Sequence, residues 1–292
     1  MTFSVGDMSV NASFGLKTLS AASVLESAFD DQSLRRAAVQ SQYLIAVRST
    51  DPEIFDNLIT TGKRILARPP YCCLIRGIPV EVGRTILVAL SAALGRIAEP
   101  YGSEWSRVVR EIRPRNDRGS THSGVLNEHM HTDGTDWEKP NDLTCLFCVR
   151  NDEAEGGLSR LISIDEIEAR LADGPDGRAL HKWLSTTPVP WKLAEEFGGR
   201  VLHAPILSES GIRWLKFTIH ASGDRAVTDR AWAERLLAFE ELLDHRMDAT
   251  EFPLEPGDCL IVDNRKCLHA RTPIVDASSS QRLLYRTKVV YR

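Results

Sequence analysis

Apolar residues in the first hundred positions recur at helical spacing. Asp51-Pro52 is a strong helix start, with an aspartate cap and a proline at the first helical position. Two amphipathic helices are predicted, with apolar positions at Ile54, Leu58 and Ile65 and at Ile86, Leu90, Ala93 and Ile97. Between them, the apolar run 71–76 predicts a buried strand. Residues 1 to about 50 predict irregular structure with short helices.

Beyond residue 107 the pattern changes from helical spacing to short apolar runs. These runs predict strands at 108–112, 143–149, 158–162, 201–207, 213–219, 259–262 and 283–291. Turn-rich segments such as Pro256-Gly257-Asp258 separate the runs. Because no regular helix lies between consecutive strands, antiparallel sheets are favoured over a βαβ repeat.

Two further helices interrupt the predicted sheets. Ser163 and Glu166 form a capping box for a helix to about Leu171. Apolar residues spaced by four, three and four predict another helix from Thr228 to about Asp244. We therefore expect one domain, mainly β with flanking helices. Residues 1–70 would form an irregular and helical part, and residues 71–292 a double-stranded β-helix (jelly roll) with helical insertions.

The composition narrows the class of protein. Of the 292 residues, 42% are hydrophobic and 26% charged, and the net charge of −4 argues against nucleic-acid or membrane-surface partners. Neither a membrane span nor a signal peptide is expected, so the six cysteines should be reduced and the protein cytoplasmic. Cys145 and Cys148 have CxxC spacing but are interpreted as core residues, since on a strand they would point to opposite faces.

Three residues far apart in the chain form a candidate metal-ligand set. His131 and Asp133 make a His-x-Asp pair, and His269 follows the predicted strand 259–262 and a polar turn. Two neutral imidazoles and one carboxylate are the ligand set of non-haem Fe(II) oxygenases. Each motif alone is also common in proteins without a metal. Gly134 and Thr135 indicate that a strand breaks into a loop at Asp133, as a ligand pair requires.

Two arginines near the C-terminus form a candidate anion site. Arg282 and Arg286 lie four residues apart on a predicted strand and so share one face. A buried arginine pair requires anions, and a guanidinium binds a carboxylate through two parallel hydrogen bonds. The alternative is the solvated face of an edge strand.

Taken together, these motifs resemble the taurine dioxygenase-like (TauD/TfdA) family of Fe(II)- and 2-oxoglutarate-dependent oxygenases, which is related to clavaminate synthase. The resemblance covers roughly residues 71–292. It rests on the order and spacing of five stretches: His131-Thr132-Asp133-Gly134, Glu155-Gly156-Gly157-Leu158-Ser159, Pro256-Gly257-Asp258, Asp263-Asn264 with His269-Ala270-Arg271, and residues 282–286.

The resemblance implies a role for each matching residue. His131, Asp133 and His269 would ligate Fe(II), while Arg282, assisted by the Ser159 hydroxyl, would bind the distal carboxylate of 2-oxoglutarate. O2 would be the other co-substrate. Arg286 would hold an anionic group of the substrate. The turn here reads Gly-Gly-Leu-Ser where the family usually has Gly-Gly-Asp-Thr, a departure that affects the assignment of Ser159.

The implied activity is hydroxylation, or another oxidation at C–H, of a small carboxylate-bearing molecule. An amino acid or an amino-acid-derived or peptide intermediate of natural-product (antibiotic) biosynthesis is favoured. His129 and Trp137 are candidate substrate-pocket residues, and the segment 188–211 is a candidate lid. His129 could instead complete a three-histidine, cupin-like dioxygenase or hydrolase site that does not use 2-oxoglutarate. A non-catalytic jelly-roll binding protein and a homo-oligomer both remain open.

Overall fold

The computed structural model of this chain describes residues 4–98, 107–114, 128–152, 156–220, 229–274 and 279–291. The helices are α1 (Leu16–Ser27), α2 (Ala37–Arg48), α3 (Pro52–Leu66), α4 (Gly83–Leu94), α5 (Ile164–Ala172), α6 (Gly174–Thr186), α7 (Lys216–His220) and α8 (Arg230–His245). The strands are β1 (Ser9–Asn11), β2 (Cys72–Arg76), β3 (Arg96–Ile97), β4 (Arg110–Ile112), β5 (Leu143–Arg150), β6 (Ser159–Ser163), β7 (Val189–Lys192), β8 (Val201–Ala204), β9 (Leu207–Ser208), β10 (Gly211–Ile212), β11 (Thr250–Phe252), β12 (Cys259–Asp263), β13 (Cys267–Arg271) and β14 (Leu283–Val290).

The described strands form two sheets that matter for the site. The larger has seven strands in the order β1-β2-β12-β5-β14-β3, with β4 also paired to β14. The smaller has the order β11-β6-β13. Pairing is antiparallel except between β1 and β2, as the sequence predicts. Two hairpins, β7-β8 and β9-β10, lie outside these sheets.

The predicted starts of α3 and α5 are confirmed, and each has a local cause. The Asp51 side chain accepts a hydrogen bond from the Ile54 backbone N–H at the start of α3. Ser163 and Glu166 form the full capping box of α5, with both reciprocal bonds made. Asp229 caps α8. These bonds satisfy backbone N–H groups that have no partner within the helix.

Two hydrophobic clusters surround the sheets. The first packs helices α1–α4 against the larger sheet, and its members include Leu74, Ile86, Phe147 and Leu260. The second packs α5, α6 and α8 against the smaller sheet and includes Ile162, Trp191 and Phe239. All six cysteines are buried and unpaired, as expected. In the described part of the chain, no helix has both the length and the apolar character to cross a membrane.

One predicted strand is wrong, and several elements were not predicted. Residues 213–215 are irregular and lead into α7, a short helix that carries the buried Ile219. The first fifty residues contain α1 and α2, each of 12 residues, rather than short helices. Helix α6 and strands β7, β11 and β13 are also new. Of these, β13 matters most because it carries His269.

Gly83 lies where α4 packs on the larger sheet, and a substitution there tests this packing. A Cβ atom on Gly83 would lie 2.0 Å from Cε1 of the fully buried Phe147 ring. We therefore expect Gly83→Ala to lower the free energy of unfolding by about 1–3 kcal/mol, since overpacking displaces a core side chain. Gly15→Ala is the matched control at the start of α1, because a Cβ atom there would have nothing within 4 Å. Equal urea midpoints for the two variants would contradict this packing.

Candidate metal and co-substrate site

A backbone bridge brings the two predicted histidine ligands together. His131 lies beside β13 and pairs with His269 in an isolated antiparallel bridge. The His131 N–H donates to the His269 carbonyl at 3.1 Å, and the His269 N–H donates to the His131 carbonyl at 3.0 Å. The two ring centroids are consequently 4.5 Å apart.

Asp133 joins the histidines because its backbone is held on both sides. Its N–H donates to Oδ1 of Asn264 at 2.7 Å, and the Asn264 side-chain amide donates to the Asp133 carbonyl at 3.0 Å. Gly134 follows in the left-handed region (φ 65°), so the chain turns directly after the carboxylate. Thr144 of β5 donates to Oδ2 of Asp133 at 2.8 Å, which fixes the rotation of the carboxylate.

The arrangement of the three residues fits a divalent metal ion. Their ligand atoms all lie within 4.8 Å of one another, and Nε2 of His269 is 3.7 Å from Oδ2 of Asp133. Nδ1 of His131 is bonded to the His129 carbonyl at 2.9 Å, which leaves Nε2 as the ligand atom. Nδ1 of His269 is buried without a hydrogen-bond partner among the described residues, and Nε2 is beyond hydrogen-bonding distance of Asp133. A metal bound at Nε2 would use the ring nitrogen that faces Asp133.

Protonation states in the site favour metal binding. Burial, together with the nearby His131, lowers the pKa of His269 to about 3, and burial also lowers the pKa of His131. Burial alone would raise the pKa of Asp133, but the positive charges of Arg286 and Lys288 outweigh it and hold that pKa well below its usual value. Two neutral imidazoles and one carboxylate therefore coexist at neutral pH.

Two cations hold the outer oxygen of Asp133. Arg286 Nη1 donates to Oδ1 at 3.0 Å, and Lys288 Nζ lies 3.4 Å from the same atom. The inner oxygen, Oδ2, faces His269 and Thr144. The two oxygens thus have different partners, and Oδ2 is the one placed to ligate a metal.

A cavity of 60 Å³, called here the Arg282 cavity, adjoins the histidines. Its lining includes His131, Ser159, His269, Arg282 and Arg286. The predicted shared face of the two arginines is therefore confirmed. Ser159 is buried on β6, at the register position opposite Arg271.

Arg282 is a buried cation that faces this cavity. Only 6% of its surface is exposed, and burial lowers the pKa of its guanidinium to about 10. Its Nη2 donates to the Gly157 carbonyl at 3.3 Å, a long bond for a charged donor. Among the described residues, no carboxylate lies within 4.0 Å of it. A carboxylate supplied by a ligand would satisfy this guanidinium.

Gly157 allows the predicted glycine-rich turn to lie close to Arg282. It adopts φ 68°, and a Cβ atom there would lie 3.0 Å from Nε of Arg282. Any larger residue would be strained and would press on the guanidinium. Of this turn, Glu155 lies outside the described residues.

A second cavity, of 210 Å³, shares His131 with the first but also includes Asp133 in its lining. We call it the Lys288 cavity, and its lining includes His131, Asp133, Asp136, Lys192, Phe217 and Lys288. Part of the predicted lid segment 188–211 contributes to this lining through residues 192–194.

Comparison with known proteins identifies the family. Residues 71–288 match the family described as taurine catabolism dioxygenase TauD, TfdA family. The chain belongs to this family. The resemblance inferred from the motifs is confirmed, and the match begins at the residue where that resemblance begins.

Relatives and solved structures of similar fold agree with this assignment to the TauD, TfdA family. Gamma-butyrobetaine dioxygenase of Pseudomonas sp. (strain AK-1) is 24% identical over 215 residues, 71% of this chain and 53% of that protein. The chain thus spans about half the length of this relative. Asparagine oxygenase, solved with Fe(II), 2S,3S-3-hydroxyasparagine and succinate, has a TM-score of 0.71 at 18% identity, covering 97% of this chain and 93% of that chain. The non-heme iron oxygenase OrfP, solved with Fe and alpha-ketoglutaric acid, has a TM-score of 0.65 at 17% identity, covering 97% and 95%.

His129 and Trp137, the other predicted pocket residues, lie apart from the lining of both cavities. The half-exposed His129 ring places Nδ1 2.7 Å from Asp244 of α8, and this hydrogen bond raises the pKa of His129. The ring of Trp137 is buried, with Lys288 Nζ 4.8 Å from its centroid. Asp244 also accepts from the Met130 N–H at 3.1 Å, so α8 anchors the segment that carries His131.

Sequence reasoning missed three residues that hold Asp133: Thr144, Asn264 and Lys288. Asn264 belongs to a motif that supported the family resemblance, although no role was predicted for it. Lys288 lies two residues beyond Arg286 on β14, so strand periodicity could have placed it on the same face. Thr144 gave no signal, because a threonine inside an apolar strand is common.

The lowered histidine pKa values predict how metal binding depends on pH. Metal binding requires neutral imidazoles, and two ordinary histidines would lose roughly a hundredfold in affinity between about pH 7.5 and 5.5. Because the pKa of His269 is about 3 and that of His131 is also lowered, we expect the affinity for Co(II), measured by its visible absorption, to change little over this range.

His129→Ala is the control for this measurement, because the imidazole of His129 lies outside the ligand set. Its Co(II) affinity should show the same weak pH dependence. A wild-type affinity that falls along the curve for two ordinary histidines would show that both rings titrate normally, contrary to the burial seen here.

Proposed function

We propose that this chain is an Fe(II)- and 2-oxoglutarate-dependent oxygenase that hydroxylates, or otherwise oxidises at C–H, a small carboxylate-bearing molecule. One observation carries the proposal. Two neutral histidines and one ionised carboxylate form a buried set, and this set adjoins the Arg282 cavity. Arg282, which is buried there, has no carboxylate of the described residues within ion-pair distance. Family membership supports it.

Each residue has a separate role in this proposal. His131, Asp133 and His269 would hold Fe(II). Arg282 binds the distal carboxylate of 2-oxoglutarate, and the Ser159 hydroxyl in the same cavity assists it. The observed contact of Arg286 is with Asp133, so it orients the carboxylate ligand. Its role in holding a substrate anion stays a prediction.

Bound iron, with 2-oxoglutarate and O2, supplies the oxidising power that breaks a C–H bond. The protein determines which bond is oxidised. The Asp133 carboxylate keeps one orientation because Thr144, Arg286 and Lys288 hold it. The substrate occupies the Lys288 cavity, whose walls set which carbon comes closest to the ligand set.

An amino acid is the favoured substrate class, and a derived or peptide intermediate of natural-product biosynthesis fits the same chemistry. Asparagine oxygenase was solved with 3-hydroxyasparagine, and OrfP with (3S)-hydroxy-L-Arg, so two proteins of similar fold bind hydroxylated amino acids. We also infer that the two sheets form a jelly roll within a single domain, because the metal ligands lie between elements attached to both sheets.

The cupin-like alternative is not favoured. A three-histidine site would require the ring of His129 beside those of His131 and His269. Instead, Nδ1 of His129 is bonded to Asp244. Asp133 takes the third ligand position.

Succinate formation tests the proposed activity. Purified protein with Fe(II), O2 and 2-oxoglutarate should release succinate, and the correct amino acid should stimulate the release. Asp133→Ala should abolish both succinate release and Co(II) binding, because a carboxylate ligand is lost. Succinate release that persists in Asp133→Ala would favour a three-histidine site, and a lack of succinate under every condition would contradict the proposal.

Arg282→Ala tests the co-substrate site separately. Removing a buried charged donor should raise the 2-oxoglutarate concentration at half-maximal succinate release by about 10- to 100-fold. Co(II) affinity should stay close to the wild-type value, because Arg282 is not a ligand. Arg265→Ala is the matched control, since this arginine pairs with Asp142 away from the cavity. Equal losses of Co(II) and 2-oxoglutarate binding in Arg282→Ala would assign the residue a structural role.

A further inference from the structure

Two buried polar residues, Asn141 and Thr144, lead to the carboxylate of Asp133. The Asn141 side-chain amide donates to Oγ1 of Thr144 at 3.1 Å, and the Thr144 hydroxyl donates to Oδ2 of Asp133 at 2.8 Å. Both Asn141 and Thr144 are fully buried. Their two hydrogen bonds, called here the Asn141–Thr144 network, end on the carboxylate oxygen that lies nearest His269.

The orientation of the Asn141 amide fixes the direction of these hydrogen bonds. Its nitrogen also donates to the Leu143 carbonyl at 2.9 Å, and a carbonyl oxygen can only accept. The opposite orientation of the amide would place two acceptor oxygens against each other. In the observed orientation, Oδ1 of Asn141 is buried without a hydrogen-bond partner among the described residues. Two donated hydrogen bonds therefore hold this amide, although one oxygen stays unpaired.

Asn141 directs the proton of the Thr144 hydroxyl toward Asp133. Oγ1 of Thr144 accepts a hydrogen bond from the amide nitrogen, and that nitrogen cannot accept one in return. The hydroxyl proton is thus free for Oδ2 of Asp133. A hydroxyl that accepts a hydrogen bond is also a stronger donor, because neighbouring hydrogen bonds polarise one another. The Asn141–Thr144 network therefore gives the hydroxyl one orientation.

The contacts of Asp133 leave one of its two oxygens available to a metal. An ionised carboxylate has about four acceptor positions, shared equally by its oxygens. Arg286 donates to Oδ1 at 3.0 Å, and Lys288 lies 3.4 Å from the same oxygen. Thr144 takes one position on Oδ2, whose distance from His269 Nε2 is 3.7 Å. The second position on Oδ2 is therefore the one that a metal beside His269 would use.

Building on the proposed function, we propose that Asn141 and Thr144 are positioning residues for the metal. Through the Thr144 hydroxyl, the Asn141–Thr144 network holds Asp133 as a ligand that offers only Oδ2, and it prevents the carboxylate from rotating to offer both oxygens. Coordination by one oxygen leaves positions on a bound metal free for 2-oxoglutarate and O2. Asn141 contributes through Thr144 and not by contact with the metal.

Co(II) binding, measured by visible absorption, tests this positioning role. Thr144→Val keeps a similar shape but removes the hydroxyl, so Co(II) affinity should fall by about 10- to 100-fold, the usual loss for a partner of a metal ligand. The absorption bands of bound Co(II) should also change, because the carboxylate is released to rotate. Thr144→Ser keeps the hydroxyl and should retain both wild-type properties. Wild-type affinity and bands in Thr144→Val would overturn the proposal.

Thr135→Val is the matched control for Thr144→Val. Thr135 is also buried and lies two residues from Asp133, but its hydroxyl bonds to that of Thr218 rather than to the carboxylate. Its Co(II) affinity and absorption bands should be those of the wild type. Losses equal to those of Thr144→Val would show that packing near the site explains both effects, contrary to the proposal.

A double-mutant cycle tests whether Asn141 acts through Thr144. Asn141→Leu removes the amide, and Co(II) affinity should fall by about 2- to 10-fold, the range for a neutral hydrogen bond. Combined with Thr144→Val, it should cause no loss beyond that of Thr144→Val alone. Losses that add would give Asn141 a separate structural role and would overturn the proposal. If Thr144→Val does not fold, Asn141→Leu decides: unchanged Co(II) affinity contradicts the proposal, and the expected loss supports it.

The same titrations separate this proposal from the proposed function. If the wild-type protein binds no Co(II), the proposed function fails and this inference fails with it. If the wild-type protein binds Co(II) and Thr144→Val binds it equally well, only the positioning role fails.

Discussion

The site depends on one backbone interaction, the antiparallel bridge between His131 and His269. Its two hydrogen bonds join a segment between the sheets to strand β13, and they fix the separation of the imidazole rings. The chain turns at Gly134, directly after Asp133. The Asp133 carboxylate lies beside the two imidazole rings because the bridge and Asn264 hold its backbone. These hydrogen bonds hold the backbone segments that carry the three side chains of the candidate ligand set.

Charge around Asp133 links this geometry to chemistry. A buried carboxylate would normally take up a proton, and a protonated ligand would bind iron poorly. Arg286 and Lys288 keep it ionised and occupy its outer oxygen, which leaves the inner oxygen for the metal. The same burial keeps His131 and His269 neutral. The site therefore keeps Asp133 ionised and the two neighbouring imidazoles neutral at the same pH.

The sequence predicts the parts of this protein that follow local rules. The caps of α3 and α5 depend on residues within a few positions, and the alternation of β14 places Arg282 and Arg286 on one face. The sequence also predicts that the sheets are antiparallel, because no regular helix lies between consecutive strands. Strand β13 was missed because it forms by pairing with β6 and with His131. Both partners lie far from β13 in the chain, so no local pattern indicates the pairing. The role predicted for His129 depended on strand spacing, whereas the ring points instead to Asp244 on a distant helix.

The pleat of β14 determines which cations reach Asp133 and which cavity each cation lines. Residues two apart on a strand lie about 7 Å apart on one face, so Lys288 and Arg286 can share one carboxylate, while Arg282, roughly 13 Å from Arg286, cannot. This spacing places Arg282 and Lys288 in the linings of two different cavities. Because β5 pairs with β14 and presents Thr144 opposite Lys288, the same register that spaces the cations also orients Asp133. A one-residue slip in this pairing would therefore disturb the metal ligand and both cavities at once.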